Sequence, residues 1–485
     1  MRKRTLAVAA VVMAAGAATT AHASRPGPAS WETPYVLGPW AGGEPSVAFD
    51  PSGNGHVYVV APQGIPSGAG LLLTALGSPS GTKGIGFWAS SNHGRSFPFN
   101  ANIGSSAGGG DSDVDVATDH SVYVTDLEAA ATTICRSTDF GKSFGDASPV
   151  NLGCATVSTN QSGPDNDRQW LNHFGKGETH TEYLTYHDFA GNVPLIYSSN
   201  DNGSTFVPCG NILGAGPAQS NFLPAVGGDL VAKPVVDPKD GSIYVGVTEP
   251  DQSTAISSPT HYPLGSLYMA VARGGCNGTT MFQTHAVYVN KGADLAKDFD
   301  AITEDSAGTL YMVATGKLTR TQKANGVYVF TSRDHGTTWS KPQQVNAKNL
   351  GADAMPAITA NKAGQVAVGW FGSSSSNDEN YLKGQWRYYV ATSSDFGKSW
   401  AQSTVTKNPI HYGDICTQGL NCSLNPTGVG PYSTGNRNLA DFSSLSYDPA
   451  TGKLLAVFPG DPTNRPDLPN GKNDFSSHVY IAVQR

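Results

Sequence analysis

The sequence predicts an all-β chain, a β-propeller of four-stranded antiparallel blades, and three observations predict it. One short turn pattern, Ser-x-Asp/Asn-x-Gly-x-x-aromatic, occurs five times. A second unit, a short strand followed by a tight turn and an aromatic-bearing strand, recurs seven times at intervals of about 65 residues, as in a fold built of four-stranded repeats. The chain has 57 Gly and 31 Pro among 485 residues and no long amphipathic helical pattern. That composition suits many short strands joined by tight turns.

The turns are Ser90–Phe97, Ser137–Phe144, Ser199–Phe206, Ser332–Trp339 and Ser393–Trp400. In each, the Asp or Asn is expected to fold back onto backbone N–H groups while the Gly supplies a positive φ. The closing aromatic is then placed to tuck beneath the hairpin.

The seven strand units begin at Glu44, Asp113, Arg168, Lys233, Asp298, Met355 and Asp441. The unit at Lys233 keeps only a degraded turn near Arg273–Phe282, with Cys276 inside it. The unit at Asp441 runs into His478–Val483 and stops one strand short. Trp31–Leu37 is expected to supply the missing strand, closing the ring and removing its exposed edges. Seven blades are favoured; six is the alternative if one unit is misread.

Residues 1–23 have the form of a signal peptide: Arg2, Lys3 and Arg4, an apolar Ala/Val stretch, then Ala21-His22-Ala23. The apolar stretch is too short to span a bilayer, so residues 24–485 are expected as one secreted propeller domain. A net charge of -7 without a basic stripe argues against nucleic acid as a partner. Six cysteines in an exported chain fit disulfides. Proximity suggests Cys135–Cys154, Cys209–Cys276 and Cys416–Cys422.

Aligning the seven inner strands on their Pro-or-equivalent position gives a column one residue earlier: Glu44, Asp113, Arg168, Lys233, Asp298, Met355, Asp441. Six of the seven are ionisable in a chain where only 14% of residues are charged. Propeller inner strands line the axial channel, so these residues are expected to converge at one mouth. They either cap the channel as paired charges or hold a polar ligand. In the second case Glu44, Asp113, Asp298 and Asp441 supply acid–base chemistry, and Arg168 and Lys233 grip an anion.

Asp111, Asp113 and Asp115 fall on one face of a strand by its two-residue period. They lack the Gly and Glu of an EF-hand loop, and a calcium site of another kind is the one cofactor left open. Within Asp165–Asp188, Tyr186 and His187 are candidates for proton transfer or substrate contact, and Trp170 for stacking on a sugar; the alternative for Trp170 and Tyr186 is blade core. The long insertion Ala401–Leu439 carries His411, Asp414, Tyr432 and Arg437. Arg437 is the best placed of these, four residues before Asp441.

With these residues in view, the chain resembles the bacterial neuraminidase repeat proteins, whose Asp-box matches the five turns. It looks like a secreted sialidase-like propeller of actinobacterial type. The openings Glu44-Pro45-Ser46, Asp167-Arg168-Gln169-Trp170-Leu171 and Asp441-Phe442 add to the likeness. The resemblance implies six blades, an arginine triad for a substrate carboxylate, a Tyr/Glu nucleophile pair and an Asp acid/base. The Arg-Ile-Pro motif of the first arginine is absent. Arg168, Arg387 and Arg437 are the candidates to replace it, Asp113 the candidate acid/base, and Tyr432 with a ring carboxylate the candidate nucleophile.

The expected function is release of a terminal acidic sugar by a monomeric glycoside hydrolase. A polysaccharide lyase acting on uronates, or a non-catalytic glycan- or protein-binding propeller, are the alternatives.

Overall fold

The computed structural model describes residues 27–39, 42–62, 84–103, 110–128, 131–144, 154–157, 166–177, 179–188, 193–218, 230–249, 265–295, 299–374, 379, 384–417, 436–462 and 477–485. Residues 1–23, Asp298, Cys422 and Tyr432 lie outside them. Every regular element among the described residues is a β-strand.

Four sheets follow one antiparallel order, each strand beside the next in sequence. The first is Ser46–Phe49, Val57–Pro62, Ile85–Ser90, Phe99–Ile103. The second is Val114–Val116, Val122–Glu128, Ala131–Ser137, Cys154–Val157. Further along come Ala301–Glu304, Leu310–Gly316, Gly326–Ser332, Gln343–Gln344, and then Ala352–Ala360, Val366–Ser373, Gln385–Ser393, Ala401–Thr404.

Between the second sheet and the one opening at Ala301 lies a nine-stranded sheet. It joins Asn166–Lys176, Thr179–Asp188, Val193–Ser199 and Val207–Ala215 to Thr280–Val289, Ser266–Ala272 and Ile243–Glu249, with Leu230–Val231 and Val235–Val236 both paired to the last. The final sheet is Ser444–Tyr447, Leu454–Gly460, His478–Val483 and, from the other end of the chain, Tyr35–Val36. Tyr35 pairs antiparallel with Ile481.

The innermost strands touch in a closed circuit. It runs from Ser46–Phe49 through Val114–Val116, Asn166–Lys176, Val235–Val236, Ala301–Glu304, Ala352–Ala360 and Ser444–Tyr447 back to Ser46–Phe49. The sheets therefore stack face against face around an axis, in a propeller-like ring. This explains why second strands such as Val57–Pro62 and Ile243–Glu249 are buried at every position rather than alternately. β-Branched and aromatic residues fill these strands because they pack well on a pleated surface. The core lies between sheets: Val47, Val59 and Trp88 of the first sheet meet Val457, Val479 and Ile481 of the last.

The five repeated turns share one geometry. In Ser137–Phe144, Ser137 Oγ donates to Asp139 Oδ1 at 2.8 Å, and Asp139 accepts from Ser143 N at 2.9 Å and Ser143 Oγ at 2.6 Å. Gly141 N donates back to Ser137 Oγ at 2.9 Å. The turn needs two consecutive left-handed residues rather than one: φ is 63° at Phe140 and 75° at Gly141. Glycine is required at the second because a Cβ there would lie 2.7 Å from Phe87 Cζ of the preceding sheet. Phe144 packs edge-on against that same Phe87, with ring centroids 4.9 Å apart. The turn is thus an inter-sheet peg at the periphery.

Where the turn is degraded, a covalent link stands in its place. Cys276 is bonded to Cys209 of Val207–Ala215. Beside it the edge strands pair in parallel, Gly210 with Thr280 and Asn211 with Met281, which merges two antiparallel strand groups into the nine-stranded sheet. The bond closes a separation of 67 residues. Replacing both cysteines by serine is expected to cost about 4 kcal/mol on chain-entropy grounds. A fall in the urea midpoint with a steeper slope, as the released unfolded chain exposes more surface, would report it, and an unchanged midpoint would contradict it.

Cys135 and Cys416 are also disulfide-bonded. Cys135 lies opposite Cys154 in the strand register. The Cys416–Cys422 pairing reaches outside the described residues.

Candidate active site

The inner strands open on strained backbone. Glu44, Arg168, Phe299, Met355 and Ala440 have φ of 46°, 59°, 30°, 54° and 60°. All five are non-glycine residues in the left-handed region, which carries a conformational cost and concentrates at functional or tightly determined sites. At Arg168 and Met355 the pairing register breaks in a bulge, between Asp167 and Trp170 and between Ala354 and Ala357. A bulge re-aims the side chain it carries.

Three of these residues, Glu44, Arg168 and Met355, are members of the sequence column, and Phe299 and Ala440 lie one residue from it. A strand pattern cannot reveal such a bulge.

The structure brings Glu44, Arg168, Arg437 and Asp441 together, with Asp111 added. Arg168 reaches Glu44 Oε2 at 3.1 Å and Asp111 Oδ2 at 3.7 Å, and it forms a close ion pair with Asp441. Arg437 contacts the same Asp441 oxygen at 2.5 Å and Glu44 Oε1 at 3.7 Å. Three carboxyls therefore surround two guanidiniums, drawn from four separate sheet openings. Glu44 is wholly buried, and Asp441, Arg168 and Arg437 are no more than 5% exposed.

Burial dominates at Glu44 and pushes its pKa up to about 8. Arg168 opposes the shift, and the Asp111 carboxylate lying against it adds to it. Near neutral pH the cluster holds a protonated Glu44 beside an Asp441 clamped by two cations.

Asp113 and Lys233 form a second group. Lys233 Nζ lies 2.8 Å from Asp113 Oδ2 and donates to Val114 O at 3.0 Å. Asp113 also accepts from Ser46 Oγ at 2.5 Å and Leu171 N at 2.8 Å. The one-face expectation for Asp111, Asp113 and Asp115 agrees with their partners. Along the facing strand Asn166–Lys176, Asp111 takes Arg168 N at 3.3 Å, Asp113 takes Leu171 N, and Asp115 takes His173 Nδ1 at 2.6 Å. The three carboxylates thus form a ladder between two sheets.

Beneath the cluster lies a cavity of ≈ 240 Å³ whose lining includes Trp170, Asn172, Lys233, Phe299, Asp300 and Phe442. The Arg168 guanidinium stacks over Phe299 at 4.5 Å and Phe442 at 5.6 Å, so two rings separate the cavity from the charges. The Lys233 side chain keeps 34% of its surface exposed and is the cationic lining group. Asp300 is buried, which pushes its pKa up to about 6 even though Thr248 Oγ1 donates to it at 2.7 Å.

Sequence reasoning missed Asp300 and did not assign Asp111 to the charge cluster. Both aspartates were visible, but their roles follow from neighbours on other sheets.

The remaining candidates lie elsewhere. Tyr186 is buried in the core between sheets, stacked on Tyr197 at 5.6 Å. His187, also fully buried, sits in the same second strand opposite Asp167. Trp170 lines the cavity and packs on Phe442 at 4.9 Å, donating to Val231 O at 3.2 Å. Arg387 is turned toward Lys407 O at 3.2 Å. His411 is held by Asp461 at 2.6 Å and Asp414 O at 2.9 Å.

Residues 292–433 match the model of a BNR repeat-like domain. No curated protein matches the chain. Among solved structures, a protein of unknown function from Dyadobacter fermentans is similar at 10% identity, over 94% of this chain and 98% of its own, with a TM-score of 0.44. An ulvan lyase is similar at 11% identity, over 94% and 95%, with a TM-score of 0.48. An α-L-arabinanase of Penicillium chrysogenum complexed with arabinobiose is similar at 12% identity, over 77% and 92%, with a TM-score of 0.45. Likenesses this remote carry no argument about activity. The chain carries a BNR repeat-like segment within an all-β, propeller-like ring.

Proposed function

We propose that this chain is a secreted, monomeric glycan-active enzyme, a glycoside hydrolase that releases a terminal acidic sugar in the manner of an exo-sialidase. One observation carries the reading: Glu44, which holds its proton up to about pH 8, lies with Asp441 around a single guanidinium. A carboxyl that keeps its proton beside one paired to two guanidiniums offers an acid and a partner for it.

In this reading Glu44 is the general acid and Asp441 the nucleophile or base, both near enough for glycoside chemistry because one side chain spans them. Lys233 meets the substrate's acidic group in the cavity, with Arg168 and Arg437 adding positive charge behind it, and Asp113 positions Lys233. Tyr186 and His187 support the strand that carries the site from behind.

The scaffold in this reading is a seven-bladed propeller, with the nine-stranded sheet counted as two blades and Tyr35–Val36 closing the ring. The parallel contact between two antiparallel groups supports that count. Residues 1–23 act as the export signal, and the disulfide-bonded cysteines suit an oxidising compartment.

The test is turnover of the full mature chain on a panel of acidic glycans, with Glu44→Gln and Asp441→Asn alongside. Sugar release by the native chain, lost in folded variants, supports the proposal. A new ultraviolet absorbance on polyuronates selects lyase chemistry instead. Glycan binding without turnover in all three proteins selects a binding propeller.

A further inference from the structure

A second polar cluster, outside the mouth, has the composition of a metal site. Among the described residues, Asp115, His173 and Glu182 place their ligand atoms within 4.8 Å of one another. They come from the inner strand of the second sheet and from the first two strands of the third, where His173 and Glu182 are direct register partners. We propose that these three side chains bind one divalent transition-metal ion of the zinc class in the seam between the two sheets.

The independent observation is the state of Glu182. It is 0% exposed, and neither carboxylate oxygen accepts a hydrogen bond. Its nearest ion-pair partner is His180 Nε2, at 3.3 Å from Oε1. A buried carboxyl without donors is costly, and a cation is the usual compensation.

The surroundings suit an ion. His180 has Nδ1 beside Gly177 O at 3.3 Å and Nε2 beside Tyr123 OH at 3.0 Å, so it stands behind Glu182 as an orienting group. Outer-shell partners of this kind are typical of metal sites. The side chains of Asp115 and His173 are 13% and 16% exposed, which leaves an entry route on their side.

One imidazole and two carboxylates favour zinc, cobalt or manganese over calcium, which takes six to eight oxygens. Three protein ligands leave one position of a tetrahedron open. Tetrahedral ligand atoms sit about 3.4 Å apart around zinc, so His173 Nδ1 and Asp115 Oδ2, now 2.6 Å apart, separate on binding. Metal ligands bind in their deprotonated forms, so binding releases protons to solvent.

The experiment titrates Zn2+ into the chelator-stripped full chain by calorimetry, beside His173→Gln, Glu182→Gln and the distant control His93→Gln. One ion per native chain, unchanged in the control and weakened at least 100-fold in both site variants, is expected. Native and His173→Gln chains binding zinc alike would overturn the proposal, as would no binding by the native chain. If a site variant fails to fold, an anomalous diffraction peak from Co2+ soaked into native crystals decides: a peak between His173 and Glu182 supports the site, and its absence overturns it.

Discussion

Replacing Arg168 by methionine is expected to cost about 3–5 kcal/mol of folding stability at pH 7, because it strips a buried cation from several carboxyls at once. Methionine keeps much of the volume over Phe299 and Phe442, so the loss is electrostatic rather than a cavity effect. Glu44, Asp111 and Asp441 all contact Arg168. Arg437 alone then faces Glu44 and Asp441.

Two signatures separate this from general damage. Lowering the pH should restore stability to Arg168→Met, since protonation removes the uncompensated charge. Adding Asp441→Asn to Arg168→Met should recover part of the loss, with a coupling of about 0.5–3 kcal/mol in the double-mutant cycle. Urea unfolding of the four proteins measures both. A loss below about 1 kcal/mol for Arg168→Met would mean that water reaches the cluster and screens it, as at surface pairs.

The second large effect concerns Glu44→Gln. Folded Glu44 keeps its proton up to about pH 8, whereas the unfolded side chain loses it near 4.5. Between those values the native state binds more protons than the unfolded one. The stability this group contributes is therefore full below about pH 4.5 and is lost as pH rises through about 8. Glutamine does not titrate and mimics the protonated form, so the stability of Glu44→Gln relative to the native chain should rise across that window. All other titrating groups are common to both proteins and cancel in the difference. A flat difference from pH 5 to 9 would show Glu44 ionised in the fold.

The same substitution probes chemistry. A general acid contributes about 10²–10⁴-fold to a rate. If Glu44 is that acid, Glu44→Gln loses turnover by this factor while becoming relatively more stable at high pH, and native activity declines above about pH 8. Stability and activity moving in opposite directions is a result that mere disruption of the mouth would not produce.

The repeated turns were legible because each is a local object: the residues from Ser137 to Ser143 make these hydrogen bonds among themselves. Strand order follows for the same reason, since neighbours in sequence pair as neighbours in the sheet. The convergence of Glu44, Arg168 and Asp441 was legible through the repeat, which maps equivalent positions to one end of the ring. The bulges at Arg168 and Met355 were not legible. Left-handed openings at non-glycine residues leave no mark in a hydrophobic pattern.

By itself, then, the sequence determined an all-β chain of repeated antiparallel units, the pegs at their outer turns and a belt of charges at their inner openings. Local hydrogen bonding and the two-residue strand period carry that much. Only the tertiary structure decided which charge meets which: Arg168 with Asp441 and Glu44, Lys233 with Asp113, His173 with Asp115. Those pairings form between sheets, across separations the chain's local rules do not reach. Burial there, rather than residue type, sets the proton affinity of Glu44.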